Sequence, residues 1–135
     1  MGLIVIDSSA IVEMLIADDG SRRSAVVARL SLGDAVYAPS HLDVEVAAAL
    51  RGVVRHARHL VEAAPALLRD FYDLPIRRER LSADAYLRVW RLRDNMTTYD
   101  AAYVALAEEL GASLVTCDTK FLAPPGISCA IELIR

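Results

Sequence analysis

Leu3-Ile4-Val5-Ile6 is an uninterrupted apolar run that stops at an acid, Asp7. A strand with one wet face alternates apolar and polar residues, and this run does not. It predicts a strand buried on both faces, as in the middle of a parallel sheet. Parallel neighbours need crossover connections, usually helices. A chain that starts this way has to supply helices for both faces of a sheet.

The remaining sequence supplies them. Ser8 or Ser9 is placed to cap a short helix through Ile11, Val12, Leu15 and Ile16. Asp18-Asp19-Gly20-Ser21 reads as a turn, and a second helix turns Val26, Val27 and Leu30 inward. Ala35-Val36-Tyr37-Ala38 is a second strand, stopped by Pro39. Ser40 suits the N-cap of a long helix to about Arg58, with Leu42, Val46, Ala49, Leu50 and Val53 close to a 3.6-residue period. A further helix covers Leu60 to Phe71, and Leu74 to Arg78 is a short strand. Ser82 caps a helix whose apolar residues are Leu87, Trp90 and Leu92. Thr97 or Thr98 caps another from Tyr99 to Leu110, closed by Gly111. Ser113 to Cys117 is a strand ending at Asp118, Pro124-Pro125-Gly126 is a turn, and Ile131 to Ile134 is the last strand. Strands alternating with helices predict an α/β fold with a mostly parallel sheet and helices on both faces. At 135 residues, one domain over 1–135 is expected.

Four acids stand out by position. Asp7 and Asp118 each follow an apolar strand, and ligands of open α/β sheets lie outside the carboxyl ends of strands. If both strands are central and parallel, these two acids converge. Glu45 and Asp100 interrupt apolar helix segments, DVEVAAAL and TTYDAAYVALA. Each has an ordinary reading as well. Asp7 and Asp118 suit turns, Asp100 suits a helix N-terminus, and Glu45 suits a solvated face. Together they suit something else. Clustered carboxylates repel one another and are costly to desolvate, and a divalent cation relieves both problems. Mg²⁺ and Mn²⁺ take hard oxygen ligands and assist phosphodiester cleavage.

Composition narrows the classes. An apolar content of 55% excludes a disordered chain. No apolar run approaches the ~18–20 residues needed to cross a bilayer. The start lacks the basic segment of a signal peptide, so the cytoplasm is the expected compartment. Cys117 and Cys129 are too few for a disulfide framework and are expected as buried free thiols. His41, His56 and His59 do not have the spacing of a zinc set. The net charge of −3 does not announce a nucleic-acid partner. The 15 basic residues are 14 arginines and one lysine, Lys120. Arg51, Arg55 and Arg58 form a candidate stripe for phosphate, and Arg77, Arg78 and Arg80 a second cluster. Both also read as solvated faces paired with acids such as Glu62.

Three stretches carry a family resemblance: VIDSSAIVEML, HLDVEVAAAL and TTYDAAYVALAEELGASLVTCDTKF. In order and spacing they resemble PIN-domain ribonucleases, above all the VapC-type toxins of toxin–antitoxin pairs. The resemblance implies a three-layer α/β/α fold with a central sheet of four or five strands. It implies a catalytic, metal-binding quartet at Asp7, Glu45, Asp100 and Asp118 that takes Mg²⁺ or Mn²⁺ and hydrolyses RNA. Ser9 matches a small polar residue that supports the first acid, and Thr116 a polar position near the fourth. Lys120 stands where many members have arginine, and Cys117 and Thr119 flank the fourth acid where some relatives have a further acid. The resemblance further implies a homodimer and a hetero-oligomer with a cognate antitoxin. The antitoxin would dock on the aliphatic hairpin from about Ser40 to Phe71 and the early helices, with an arginine reaching the acids.

Other readings have fewer supports. A haloacid-dehalogenase-like phosphatase needs Asp-x-Asp after the first strand, and position 9 is serine. Lys120 follows Asp118 too closely for a receiver domain. No P-loop or GxGxxG is present, nor an RNP-type aromatic motif for stacking bases on a sheet. A catalytically inactive interaction module of the same fold, or a different metal-dependent phosphohydrolase, is the alternative.

Overall fold

The run Leu3–Ile6 forms β1, the central strand of a five-stranded sheet in the computed structural model, which describes residues 2–16 and 20–135. In chain order there follow α1 (Ser8–Ile16), α2 (Ser21–Leu30), β2 (Ala35–Pro39) and α3 (Leu42–Val54). A short 3-10 turn (Arg58–Leu60), α4 (Ala64–Tyr72), β3 (Ile76–Glu79) and α5 (Ala83–Arg91) come next. The chain continues with α6 (Thr98–Leu110), β4 (Ser113–Thr116), a 3-10 turn (Thr119–Leu122) and β5 (Ile131–Leu133). The strand order is β3-β2-β1-β4-β5, and every pairing is parallel. Val5 pairs with Tyr37 on one side and Leu114 on the other. α1 packs with α2, α3 and α4, while α5 packs on α6, which lies against β1, β2 and β4. This is the expected three-layer α/β/α arrangement, with five strands.

The chain winds outward from β1 through β2 to β3, then returns to lay β4 on the other side of β1. The direction of winding reverses between β1 and β4, and a crevice forms at such a point beyond the carboxyl ends of the strands. Asp7 and Asp118 follow those two strands. The sheet is dry on both faces there: Ile4, Val5, Ile6, Leu114 and Val115 are all buried. α6 is buried along its whole middle, from Ala101 to Ala107, as a helix that is apolar all round should be.

Local chemistry explains the ends of α6. Thr97 has extended backbone and accepts the Asp100 N–H at 3.2 Å, and Gly111 closes the helix at φ 62°. Thr97→Ala is expected to lower stability by about 1 kcal/mol, read as a shift in the urea midpoint at unchanged slope. An unchanged midpoint would show that the cap contributes nothing.

Several elements differ from expectation. Asp7, rather than Ser8 or Ser9, caps α1: its carboxylate accepts the Ala10 N–H. Asp18 and Asp19 of the expected turn lie outside the described residues, and Gly20, at φ 77°, leads into α2. Val27 faces outward, leaving Val26 buried and Leu30 half-buried. α3 begins after His41, without a side-chain cap from Ser40, and stops at Val54, so Arg58 starts a separate turn. On α5 the buried residues are Ala85 and Val89, followed by Leu92, while Leu87 and Trp90 are exposed beside Tyr86. α5 packs on α6 with its bulkiest side chains left outside. Cys117 and Cys129 are free but only half-buried, and burial pushes both thiols up to about 11. Among the described residues no helix is long and apolar enough to cross a membrane.

Candidate active site

Asp7 is the most enclosed acid at the crevice, 2% exposed. It accepts hydrogen bonds from Ser9 Oγ at 2.8 Å, Thr116 Oγ1 at 3.0 Å and the Ala10 N–H at 3.3 Å. Burial pushes its carboxyl up to about 6, against the pull of these donors and of the nearby Lys120 charge. Ser9 and Thr116 do more than hold Asp7. Ser9 Oγ also accepts the Cys117 N–H, and Thr116 Oγ1 accepts the Asp118 N–H, each at 3.0 Å. The two hydroxyls lie 3.1 Å apart. They lace the end of β1 to the segment that carries Asp118.

Asp100 enters from the first turn of α6 and Asp118 from the end of β4, and a lysine joins them. Lys120 Nζ lies 3.1 Å from Asp100 Oδ1 and 3.4 Å from Asp118 Oδ2. Burial works to lower the pKa of this ammonium, but its contacts with Asp100 and Asp118 outweigh burial and raise it. Glu45 comes from the first turn of α3 and accepts the Tyr103 hydroxyl at 2.5 Å. Tyr103 is 1% exposed, and burial, the bond to Glu45 and the charges of Asp7 and Asp100 all push its phenol far above the ordinary range. The four acids thus share one neighbourhood around Tyr103 and Lys120. Carboxylate oxygens are the donors that hard divalent cations take. Among the described residues, no three His, Cys, Asp or Glu stand close enough to hold an ion as they are.

Two participants are not among the acids. His41 Nε2 donates to the Tyr99 carbonyl at 3.1 Å and lies 3.4 Å from Glu45 Oε1. Its ring meets Tyr103 edge-on, with centroids 5.1 Å apart. Spacing carries the signal for both residues: His41 is one helical turn before Glu45, and Tyr103 is three residues after Asp100. Neither stands out when acids alone are sought.

The arginine candidates lie elsewhere. Arg51, Arg55 and Arg58 are exposed and do not form one helical stripe, because α3 ends before Arg55. Along the helix axis Arg55 is about 15 Å from Glu45. In the second cluster Arg78 pairs with Asp43 at 2.8 Å, and Arg77 hydrogen-bonds the Tyr37 hydroxyl. Arg80 is exposed. An apolar cavity of about 560 Å³ opens at the other end of the sheet, lined by Met14, Val27, Leu30, Val36, Leu74 and Ile76. It is built from early helices and strand starts rather than from the hairpin between Ser40 and Phe71.

Comparison with known proteins identifies the family and the fold. The PIN domain family matches residues 4–126. Ribonuclease VapC12 of Mycobacterium tuberculosis is 40% identical over 134 residues, covering 98% of this chain and 99% of that protein. The crystal structure of Mycobacterium tuberculosis VapC20, a sarcin-ricin loop cleaving toxin, superposes with a TM-score of 0.66 at 21% identity, over 89% of this chain and 93% of that one. VapBC2 from Rickettsia felis, solved bound to a DNA fragment from its promoter, gives 0.67 at 16% identity, over 98% and 99%.

Proposed function

The chain belongs to the PIN domain family and, within it, to the VapC ribonucleases, and from that premise we propose that it is a Mg²⁺- or Mn²⁺-dependent endoribonuclease acting as the toxin of a toxin–antitoxin pair. The observation that carries this reading is the gathering of Asp7, Glu45, Asp100 and Asp118 around Tyr103 and Lys120 at the winding reversal. In this reading Asp7, Asp100 and Asp118 hold the cation, and Glu45 completes its surroundings or orients the attacking water. Bound there, the cation supplies positive charge against the phosphodiester oxygens and helps water to attack. The chain's own residues do the positioning. Ser9 and Thr116 keep the buried Asp7 oriented, and Tyr103 holds Glu45, with His41 beside it. Hydrolysis adds the water oxygen to phosphorus and breaks the bond to the leaving nucleoside oxygen, which takes up a proton.

The cytoplasm suits an RNA substrate and two free thiols. The partner we propose is a cognate antitoxin, one segment of which fills the apolar cavity beside α2 in a hetero-oligomer, and a homodimer belongs to the same reading. Arg51, Arg55 and Arg58 stay candidates for outer phosphate contacts only, because α3 carries them away from the acids.

The test is cleavage of RNA by the purified chain with Mg²⁺, with Mn²⁺ and with EDTA, beside Asp100→Asn. Cleavage is expected with either ion, lost in EDTA and restored by excess ion. Asp100→Asn is expected to fall roughly 10²–10³-fold, as when one electrostatic stabiliser is removed. Undiminished cleavage in EDTA, or full activity of Asp100→Asn, would overturn the reading. An inactive interaction module is the second reading, favoured by Lys120 lying across two of the acids.

A further inference from the structure

Lys120 is the single lysine among 15 basic residues, and it stands where the acids meet. Its base is anchored. The Lys120 N–H donates to Asp118 Oδ1 at 2.9 Å, and the neighbouring Phe121 is buried. Its tip is not anchored in the same way, since the side chain is 48% exposed. An ammonium is a compact charge on a flexible four-carbon stem, with three donors that can be shared among acceptors. It can bridge Asp100 and Asp118 and leave again with no backbone movement. While it bridges them, Asp100 has one oxygen committed and Asp118 both, and no three acids stand close enough for an ion among the described residues.

We propose that Lys120 is the resident counter-cation of this site, bridging Asp100 and Asp118 until a divalent cation displaces its ammonium. The proposal rests on the metal-site reading given above. Competition of this kind has two linked effects. The bridge stabilises the chain when no ion is bound, and it lowers the apparent affinity for the ion by the same coupling.

The experiment is calorimetric titration of Mn²⁺ into the full chain, stripped with chelator, for wild type, Lys120→Gln and Lys120→Arg. Thermal melts with and without saturating Mn²⁺ accompany it. Lys120→Gln is expected to bind Mn²⁺ about 5–10-fold more tightly than wild type, within the usual range of coupling. Without Mn²⁺ its Tm is expected to fall by about 2–4 °C, and at saturation the deficit closes. Lys120→Arg keeps the charge and is expected to bind no more tightly than wild type. Equal or weaker binding by Lys120→Gln overturns the proposal, as does Lys120→Arg binding as tightly as Lys120→Gln, which would trace the effect to shape. Failure of wild type and both variants to bind Mn²⁺, with melts unmoved by it, is a different result: it removes the metal-site reading itself and this proposal with it.

Discussion

Asp7→Asn is expected to abolish RNA cleavage and, in the same molecule, to raise stability at neutral pH. The loss follows from removing the most enclosed carboxylate of the site, and roughly 10²–10³-fold or more is the expected scale. The gain follows from burial. In the folded chain the Asp7 carboxyl titrates near 6, against an ordinary value of 3.8. Below pH 3.8 both folded and unfolded chains carry the proton, and the group makes no difference. Between 3.8 and 6 the folded chain holds a proton that the unfolded chain has released, so stability falls as pH rises. Above 6 the whole penalty is present, on the order of 3 kcal/mol for a carboxyl raised from 3.8 to about 6. Asparagine avoids it, and the surroundings can adapt. Its carbonyl can accept from Ser9 and Ala10, while its amide donates to Thr116 Oγ1, whose own proton turns to Ser9. Melts in EDTA should therefore show Asp7→Asn ahead of wild type by roughly 3–10 °C at pH 8, with the lead gone by pH 3.5. A variant that keeps its activity sinks the assignment of Asp7. One whose advantage does not depend on pH sinks the account of its burial.

Tyr103 supports the second large expectation, because it belongs to the core and to the site at once. It is among the largest fully buried side chains, and its hydroxyl is the donor to Glu45. Tyr103→Ala is expected to lose roughly 3–5 kcal/mol, the scale for emptying an aromatic site in a core. Tyr103→Phe keeps the ring and removes one oxygen. Its stability loss is expected near 1 kcal/mol. Cleavage is expected to fall about 10–100-fold, because Glu45 then loses the hydroxyl that orients it. Urea melts and cleavage rates on the two variants separate these roles. Tyr103→Phe cleaving at the wild-type rate would show that Glu45 needs no help from the Tyr103 hydroxyl.

What could be read in advance follows from how local the physics is. β1 and its terminal Asp7 are legible because a dry strand requires an unbroken apolar run. Both ends of α6 are legible because Thr97 and Gly111 each act within one turn. The face of α5 is not legible by size of side chain. Leu87 and Trp90 are its greasiest residues and are exposed, whereas the smaller Ala85 and Val89 are the buried ones. The start of α3 also misleads, because Ser40 looks like a cap although the helix begins after His41 with no side-chain cap. In the site, position after strands and inside apolar helices singles out the four acids. What joins them is tertiary: Tyr103 looks like core, His41 like a stray histidine, and Lys120 gains meaning only when Asp100 and Asp118 are seen on either side of it.

The winding reversal beside β1 also governs when a growing chain becomes dangerous. Thr116 reaches Asp7 across 109 residues of sequence, and β1 stays without its β4 neighbour until that late segment has been made. At the usual ~5–20 residues per second of synthesis, several seconds separate the first acid from the last. Pairing so distant in sequence is also slow to form. A ribosome making this protein therefore holds a fragment with Asp7, Glu45 and Asp100 but no assembled crevice. On the proposed reading activity waits for β4, and an inhibitor already present has that interval in which to meet the chain.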